Sequence, residues 1–592
     1  MKLSQIYSDQ KFKKVVFNEG FNIVIGKVTK PKDTTVDSHN LGKSTLISVI
    51  DFLLLKELDP AHFLNKYKSK FNDYTFFLEV QLNSERYLTI RRSVESNTKI
   101  SMLLHDSRNE NHIKTIEWTY SNVPIRKAKE TLNLLLGFDV LKEYSYRKTL
   151  SYFLRTQDDY QDVFQLKKNM SSEHSDWKPV LFDMLGFSGE LLVQKYELDD
   201  RKASIKGEIK KLQSKSIADS EEIDKLRGLI QVREEEQANI KSKLDNFDFY
   251  EQELKLNNHL LEETESEISK LNSARYGLEF ELEKINESLK TKIDFDLKEI
   301  ESLYKEVDIL FADSLKKTYE EVIEFNKQLF SERNKHLKLR QTDVKNNLRI
   351  IEKDLIKLNE EQAQILSVLQ DDKAINKYKH YQSQIVETES EILLLKNELK
   401  KLNEIDLLTE KSTKVDTQTE TLKEQIKKQV NEAENESYTS IRSTFNHIVK
   451  EIINLPAIPS IKINKNGNVE FEADIQDVTQ TEITAKGKGT TYRKLLCVAF
   501  DLSILITYSS KSFFKFVYHD GALEGLDNRK KINFLKVVKD ICTKYDIQYI
   551  LTSIEDDLPR NDDGKVISFK PSEVALELDD KGDNGRLFET SF

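Results

Sequence analysis

A stretch of about 250 residues without proline constrains the fold of this chain more than any other feature. Between about residues 190 and 440, Glu, Lys, Leu and Asn dominate and glycine is nearly absent. Apolar residues recur there at alternating spacings of three and four, which is typical of the a/d seam of a coiled coil. The clearest runs lie at Leu261–Leu289, Val344–Leu369 and Ile385–Leu402.

The positions of these runs indicate how the coil is arranged. The first two runs centre near residues 275 and 357, and the pattern breaks at Asn246–Tyr250 and Gln370–Gln384. Both pairs share a midpoint near residue 315, so we predict an antiparallel hairpin with its tip within Ile300–Glu324 and paired joints along the arm. At ~1.5 Å per residue, the arm would be roughly 180 Å long. The alternative is a parallel homodimeric rod, in which this symmetry is accidental.

The segments on either side of the coil alternate between strand and helix patterns. In residues 1–187 we predict a strand at Phe21–Ile25, a helix at Leu41–Leu55 and a strand pair at Tyr74–Leu82 and Arg86–Arg92. The elements predicted in residues 441–592 are a hairpin (Ser460–Asn464 and Val469–Ala473), a helix (Tyr492–Tyr508), a strand (Phe513–His519), a helix (Asp527–Lys544) and a strand (Ile547–Thr552). We therefore predict two α/β lobes joined by the coiled coil of residues 188–440, with a loose acidic tail from about Asp579.

Composition excludes several other classes of protein. Charged residues make up 32% of the chain and hydrophobic residues 38%, which suits long solvated helices, and the net charge of −10 gives no global attraction to nucleic acid. Cys497 and Cys542 are the only cysteines, so neither a zinc hook nor a disulfide framework is supported, and no other cluster of metal ligands stands out. The apolar run Leu495–Tyr508 is interrupted by Asp501 and is too short to span a bilayer. With no signal peptide recognised, we expect a soluble cytoplasmic protein.

A phosphate-binding loop is predicted at Leu41-Gly42-Lys43-Ser44-Thr45, because this pentapeptide opens a helix shortly after a strand. Backbone N–H groups would hold phosphate oxygens there, Lys43 would reach the β/γ-phosphates, and Ser44 would bind Mg²⁺. The full Walker A pattern fails, since Asp37 stands at the position of the first glycine. We interpret Lys27–Ser38 as an insertion and include Asn40 in the loop. The alternative is a helix start capped by His39 or Asn40.

A second half of the site is predicted at the strand Phe513–Asp520, where Asp520 would hold Mg²⁺ through water. Gly521 follows where a catalytic Glu is expected, and glycine cannot polarise water. Glu524 could substitute only if the loop turns back. Leu526-Asp527 would form the D-loop, although an ordinary strand followed by a helix N-cap at Asp527 remains the alternative.

Two further segments complete the predicted site. Gly487, Gly489 and Thr490 lie in a glycine-rich loop before a helix and would contact the γ-phosphate bound to the opposite subunit of a dimer; a plain glycine loop is the alternative. Gln157 lies where a Q-loop would touch Mg²⁺ and the attacking water, although a solvated loop would look the same. Thr552-Ser553 occupies the switch position, where a His is common.

Taken in order, these motifs resemble those of the SMC-like ABC ATPases, and more narrowly the bacterial YydD-like group with a C-terminal domain of unknown function. They are HNLGKST (39–45), FLRTQDDY (153–160), KGKGTTYRK (486–494), VYHDGALEGLD (517–527) and YILTSIEDDLP (549–559). The resemblance implies an ABC-type head assembled from the two lobes, with ATP and Mg²⁺ as cofactors. It also implies a homodimer through ATP-sandwiched heads. Gly521 and the missing switch His predict slow hydrolysis.

The chain is also similar to the ATPase subunits of Lamassu-type defence systems. That similarity implies a clamp or sensor of double-stranded DNA, which controls a separate nuclease-like effector together with a small accessory subunit and has no nuclease activity of its own. The alternatives are a chromosome-maintenance or DNA-repair ATPase and a structural coiled-coil scaffold with degenerate heads.

Basic clusters in the N-terminal lobe are the predicted DNA contacts, because phosphate neutralisation needs no particular base sequence. Ordinary solvated side chains are the alternative for each cluster. The clusters are Lys66/Lys68/Lys70, Arg91-Arg92, Arg147-Lys148 and Lys167-Lys168.

Overall fold

The computed structural model describes residues 1–27, 41–214, 223–245, 258–290, 313–366, 372–432, 434–476 and 490–590. The chain divides into two compact units. Met1–Asp199 and Gln418–Phe592 together form the first unit, which we call the head, and Asp200–Thr417 forms the second, which we call the coil unit. Both ends of the chain therefore contribute to one compact body.

Thirteen strands and fourteen α-helices are described. The strands are β1 (Lys2–Ser8), β2 (Val15–Val16), β3 (Phe21–Lys27), β4 (Thr75–Gln81), β5 (Tyr87–Ser93), β6 (Lys99–His105), β7 (Tyr120–Pro124), β8 (Leu154–Arg155), β9 (Ala457–Ile463), β10 (Val469–Ile475), β11 (Phe516–Asp520), β12 (Gln548–Ile554) and β13 (Val574–Asp579). The helices are α1 (Lys43–Leu53), α2 (Phe63–Lys66), α3 (Lys68–Phe71), α4 (Ile125–Leu136), α5 (Tyr146–Leu150), α6 (His174–Met184), α7 (Gly189–Gln213), α8 (Ile223–Asp245), α9 (Asn258–Lys290), α10 (Asp313–Leu366), α11 (Asp372–Glu432), α12 (Glu436–Ile453), α13 (Thr490–Thr507) and α14 (Asn528–Tyr545).

A parallel five-stranded sheet joins the two ends of the chain. Its order is β13-β3-β12-β11-β8, so that β3 from the N-terminal segment lies between two strands from the C-terminal segment. The central strands β3, β11 and β12 are buried on both faces, which is why they read as largely apolar runs in the sequence. Because all five run in the same direction, the carboxyl ends of β3, β8, β11 and β12 meet at one edge, and ligands bind at such edges in parallel sheets.

An antiparallel six-stranded sheet, in the order β2-β1-β4-β5-β6-β7, completes the N-terminal part of the head. The pairing of Gln81 with Tyr87 places a turn at residues 82–86, as the alternating pattern predicts. β9 and β10 form the predicted hairpin. Apolar side chains from both chain ends share one core, in which Val24, Leu46 and Leu551 are fully buried.

The end of the chain is packed into the head, so the predicted loose tail is wrong for the described residues up to 590. Leu587 donates its N–H to the Leu41 carbonyl at 3.1 Å and accepts from the Lys13 N–H at 2.9 Å. Phe588 packs edge-on against Phe71 and Phe12, with centroids 4.9 and 5.2 Å apart. Leu587 and Phe588 lie in a segment rich in acidic residues and glycine, so the composition of the segment did not indicate that they are buried.

The coil unit contains the predicted antiparallel pairing within one chain. Ile285 of α9 packs with Val344 and Leu348 of α10. Arg340 donates two hydrogen bonds to the carboxylate of Glu281, at 2.7 and 3.1 Å. The predicted tip lies outside the described residues as far as 312, and its remainder belongs to the start of α10.

Both α8 and α9 pair with α11, so the coil unit doubles back and the predicted arm length of roughly 180 Å is wrong. Leu226 of α8 packs with Leu402 of α11, whereas Arg233 farther along α8 pairs with Glu391 at 2.9 Å, so α8 and α11 run antiparallel. Contacts between α9 and α11 are parallel, because Glu265–Gln382 and Ser273–Ser390 are both separated by 117 residues. The helices therefore reverse direction near the two predicted joints, which places α9 beside α11. Periodicity reports which face of a helix is apolar, but not which helix covers it.

Replacing Val344 by Asp is expected to separate α9 from α10. Val344 is fully buried between these helices, and a charge there would lose its hydration without gaining a partner, at a cost of about 3 kcal/mol or more. Limited proteolysis and thermal unfolding would measure the loss. Ile350→Asp is the matched control, because Ile350 is 59% exposed on the same helix and its replacement should change stability by no more than about 0.5 kcal/mol. Equal protease sensitivity of the two variants would contradict the observed pairing.

Candidate functional site

The start of α1 lies at the carboxyl edge of the parallel sheet. Gly42 is its N-cap with φ of 101°, and a Cβ there would lie 2.7 Å from the Leu587 Cβ, so only glycine fits. The first turn of a helix presents backbone N–H groups outside the helical ladder, which makes this end an anion site. Lys43 is buried, and a Cβ on Gly26 would lie 2.9 Å from its Nζ, so the lysine folds back over the end of β3.

Three oxygen-bearing side chains converge beside this helix start. Asp520, at the end of β11, is 1% exposed. Ser44 donates its hydroxyl to Asp520 Oδ2 at 2.6 Å, and the Thr552 hydroxyl donates to Asp520 Oδ1. The register of β11 and β12 sets Thr552 directly beside Asp520. A carboxylate flanked by hydroxyls is the kind of ligand set that Mg²⁺ prefers.

The loop after β11 turns back, as the sequence required if Glu524 was to reach the site. Gly521 has φ of 67°, and the Glu524 N–H donates to the Gly521 carbonyl at 3.3 Å. A Cβ on Gly521 would lie 2.5 Å from Glu524 Oε1 and 2.9 Å from Gln157 Nε2. The carboxylate of Glu524 therefore fills the space that a side chain at position 521 would occupy, next to Asp520.

Two side chains hold the Glu524 carboxylate. Gln157 donates to Oε1 at 2.9 Å from a short 3₁₀ helix, Gln157–Tyr160, which directly follows β8. Lys494 donates to Oε2 at 2.5 Å and to the Gly521 carbonyl at 3.3 Å. The sequence interpretation missed Lys494, although its place in the first turns of α13, after the glycine-rich loop, was a usable signal. The predicted residues Gln157, Asp520 and Glu524 thus lie together.

The remaining predicted residues are placed only in part. Thr45 lies half-buried in the first turn of α1, and α13 begins at Thr490. A Cβ on Gly525 would lie 2.6 Å from Thr491 Oγ1, so the start of α13 packs on the loop after β11. Asp527 accepts from the Lys530 N–H and caps α14. Asn40, Gly487 and Gly489 lie outside the described residues.

A buried ionic network lies directly behind the site. Arg155 and Asp501 are both fully buried, and the guanidinium donates to the carboxylate at 2.5 and 2.9 Å. Arg155 also donates to the Val163 carbonyl at 2.7 Å. His519 lies 3.0 Å from Asp501 through Nε2 and 2.9 Å from the Tyr549 hydroxyl through Nδ1. The network fixes β8 and the Gln157 helix against α13 and β11, which positions the residues around Asp520.

The head is expected to lose stability in acid, in part through His519. Burial lowers the pKa of His519 below 6.5, and the nearby Arg155 acts in the same direction while Asp501 opposes it. Below about pH 6.5 the unfolded chain binds a proton at this histidine that the folded head excludes. The free energy of unfolding therefore decreases as the pH is lowered, by up to about 1.4 kcal/mol per pH unit for this group. Unfolding midpoints from pH 7.5 to 5.5 should fall less steeply in His519→Gln. The exposed control His447→Gln should keep the wild-type slope; a wild-type slope in His519→Gln would contradict the assignment.

The predicted basic clusters divide into buried and exposed residues. Arg92 is fully buried, donates to the carbonyls of Phe52, Lys56 and Asn97, and lies 3.9 Å from the Phe52 ring centroid. Burial lowers the pKa of Arg92 to about 9. Its predicted role as a DNA contact is therefore wrong, because it holds the end of α1 against β5.

The other basic residues are more accessible. Arg147 pairs with Asp51 at 2.6 Å, and Lys167 pairs with Asp158. Lys66 and Lys68, on α2 and α3, are exposed. None of the described helices is long and apolar enough to cross a bilayer.

The chain is similar to one family model and to several solved structures. A family described as "Uncharacterised protein conserved in bacteria (DUF2326)" matches residues 448–592. No curated protein matches the chain. The chain is similar to the Smc head domain with a coiled coil and joint from Pyrococcus yayanosii, at 12% identity and a TM-score of 0.33, over 97% of this chain and 98% of that chain.

Two further solved structures are similar at the same level. One is the Smc head domain with an extended coiled coil bound to the C-terminal domain of ScpA from Pyrococcus furiosus, at 10% identity and a TM-score of 0.35, over 94% of this chain and 90% of that chain. The other is the SmcHead bound to the C-winged helix domain of ScpA, at 9% identity and a TM-score of 0.31, over 96% and 98% of the two chains. At such TM-scores the argument for function rests on the geometry of the site.

Proposed function

We propose that the chain is an ATPase in which ATP binding at the head controls an assembly on double-stranded DNA. The observation that supports this most strongly is the convergence of Ser44, Gln157, Asp520 and Glu524. These residues come from four separate segments of the chain and meet at the start of α1, beside the edge of the parallel sheet. A scaffold without nucleotide chemistry has no need of this arrangement.

The residues present fit a Mg²⁺-bound nucleotide. Ser44 and Asp520 would hold the metal, with Gln157 beside it. The distance of 2.6 Å between the Ser44 hydroxyl and the Asp520 carboxylate is close to the ~2.9 Å that separates adjacent oxygen ligands of an octahedral Mg²⁺. Mg²⁺ would supply charge neutralisation on the phosphates. Lys43 and the N–H groups at the start of α1 would bind the β- and γ-phosphates.

Glu524 is the proposed general base, which would take a proton from the attacking water. The turn at Gly521 places the Glu524 carboxylate at the site, where it forms an ion pair with Lys494. This ion pair must break before the carboxylate can accept a proton. No imidazole stands at Thr552-Ser553 to assist. We therefore expect turnover below about 10 s⁻¹, the usual median for enzymes, with ATP acting as the link in a dimer of heads.

The proposed dimer uses the glycine-rich loop of one head to complete the site of the other. Gly487, Gly489 and Thr490, together with Asn40, would contact the nucleotide from the two sides. Exposed Lys66 and Lys68 are the retained candidates for contacts with DNA phosphates. The motif resemblance supports control of a separate nuclease-like effector, with a small accessory subunit, in defence against phage or plasmids.

The test compares Lys43→Ala, the double variant Lys66→Ala/Lys68→Ala and wild type. Lys43→Ala is expected to abolish measurable ATP binding and ATP-dependent retention on duplex DNA. The double variant should bind ATP as wild type does, but bind DNA more weakly and with a shallower dependence on salt. Unchanged ATP affinity in Lys43→Ala would favour the scaffold alternative, and unchanged DNA binding in the double variant would remove α2 and α3 from the contact surface.

A further inference from the structure

Three side chains with metal-ligating atoms meet in the antiparallel sheet of the head, apart from the proposed ATP site. Glu79 lies in the middle of β4 and is fully buried, His105 ends β6, and His112 lies in the connection between β6 and β7. The strand registers pair Glu79 with Thr89 and Thr89 with Leu103. Residues two apart on a strand share a face, so His105 lies on the same face as Leu103 and reaches across Thr89 towards Glu79.

The ring nitrogens of both histidines are oriented as metal ligands usually are. His105 Nδ1 lies 2.7 Å from the Ser107 carbonyl, which can only accept, so Nδ1 carries the proton. The lone pair of Nε2 accepts from the Thr89 hydroxyl at 2.9 Å, and a metal ion would replace this hydrogen bond. His112 Nδ1 lies 3.2 Å from the Thr115 hydroxyl. A ligating histidine typically donates its other N–H to an oxygen acceptor, as His105 does to the Ser107 carbonyl, and the Thr115 hydroxyl can accept from His112 Nδ1 in the same way.

His112 Nε2 has no hydrogen-bond partner among the described residues, although the side chain is more than nine-tenths buried. It lies 3.7 Å from a carboxylate oxygen of the half-exposed Glu110, and the two imidazole centroids are 4.7 Å apart. A buried imidazole whose Nε2 makes no hydrogen bond with the described residues points to an occupant beside that nitrogen.

Several hydrogen bonds orient the Glu79 carboxylate, as is usual for a carboxylate that binds a metal ion. One carboxylate oxygen accepts from the Ser4 hydroxyl at 2.5 Å and the Asn109 N–H at 2.8 Å, and the other accepts from Gln5 Nε2 at 3.1 Å and faces His105 Nε2 at 3.9 Å. One ligand atom from each of Glu79, His105 and His112 lies within 4.8 Å of the other two. Tetrahedral Zn²⁺ with bonds of ~2.0 Å sets its ligands about 3.3 Å apart, so rotations of the side chains would close the site.

We propose that Glu79, His105 and His112 bind one Zn²⁺, with Glu110 or water in the fourth position. Two imidazoles and one carboxylate favour a borderline ion such as Zn²⁺ or Co²⁺ over Mg²⁺ and Ca²⁺, which prefer oxygen ligands. The ion would compensate the buried charge of Glu79 and tie the connection between β6 and β7 to β4. Sequence patterns do not indicate this site, because its ligands are separated by 26 and 7 positions and form no motif.

The experiment uses the full-length chain, stripped with a chelator and kept in excess Mg²⁺ to saturate the proposed ATP site. Zinc titration followed by metal analysis should find one tightly held Zn²⁺ per chain. Co²⁺ should give visible absorption bands typical of nitrogen and oxygen ligands. His112→Gln and the double variant His105→Gln/His112→Gln should bind Zn²⁺ at least about 100-fold more weakly, beyond the usual effect of removing an outer-shell partner.

The control variant His174→Gln removes an exposed histidine of the head that lies against Trp177 and should keep full binding. If a variant fails to fold, wild type alone still decides the question, because its unfolding midpoint should fall on chelation and recover with Zn²⁺. Wild type that binds no Zn²⁺ at micromolar concentrations, or a double variant that binds as tightly as wild type, would overturn the proposal.

Discussion

Replacing Glu524 by glutamine is expected to lower the rate of ATP hydrolysis by at least about 100-fold and to change ATP affinity by less than about three-fold. A positioned general base typically contributes 10²- to 10⁴-fold, and glutamine keeps the shape of the side chain but cannot accept the proton. The amide keeps one acceptor oxygen, so one of the two donors, Gln157 or Lys494, would keep its hydrogen bond and the other would face an NH₂ group. Because this variant would bind ATP but hydrolyse it slowly, the proposed ATP-linked dimer of heads should persist for longer than in wild type.

Single-turnover hydrolysis and nucleotide binding, measured separately, would test this prediction. Glu436→Gln, at an exposed position in the first turn of α12, is the matched control and should hydrolyse ATP at the wild-type rate. Gly521→Ala offers a second approach, since its Cβ would displace the Glu524 carboxylate and strain a backbone held at φ of 67°. If Glu524→Gln hydrolysed ATP as fast as wild type, the base would have to be another group.

Replacing Asp501 by alanine is expected to destabilise the head by about 3–5 kcal/mol, since it would leave the buried Arg155 guanidinium without its counter-charge. The effect should extend to the site, because Arg155 also holds the carbonyl of Val163 and thereby the segment that carries Gln157. Hydrolysis should therefore fall even under conditions in which the variant remains folded.

Chemical denaturation of the single and double variants would measure this loss. Arg155→Met/Asp501→Leu should recover much of the stability, because a buried ion pair often exchanges for apolar residues at little cost. The exposed pair Arg86–Asp106 provides the control, and its removal should cost no more than about 1 kcal/mol. A small loss in Asp501→Ala would show that the guanidinium finds another partner or reaches water.

Local patterns predicted the elements of the head well. Apolar runs such as Phe21–Ile25 and the alternation around Tyr74–Arg92 report burial directly, because a strand's faces are set by its own residues. The midpoint symmetry of the coil likewise predicted the pairing of α9 with α10. Asp520 and Glu524 were predicted because one ends and the other follows an apolar strand pattern, and Gln157 was predicted because its segment FLRTQDDY stands where a Q-loop would lie.

What the sequence could not predict depends on contacts between distant segments. Asp501 looked like an interruption of an apolar helix, whereas it is the partner of Arg155, 346 positions away. Whether Glu524 reaches the site depends on the positive φ of Gly521, which residue type permits but does not require. The return of α9 along α11 depends on joints whose geometry leaves no periodic signal.

The position of β3 between β12 and β13 also means that the parallel sheet cannot form until the C-terminal strands have been synthesised. β3 is complete at Lys27, but β12 begins only at Gln548, so at 5–20 residues per second its neighbours emerge from the ribosome roughly 25 to 100 s later. During that interval a buried, apolar strand has both edges unpaired, which is the condition under which strands associate with the wrong partner. β3 is thus the first strand of the parallel sheet to be synthesised and the one that remains unpaired for the longest time. We expect nascent chains of this protein to depend on chaperones until β12 and β13 have been synthesised.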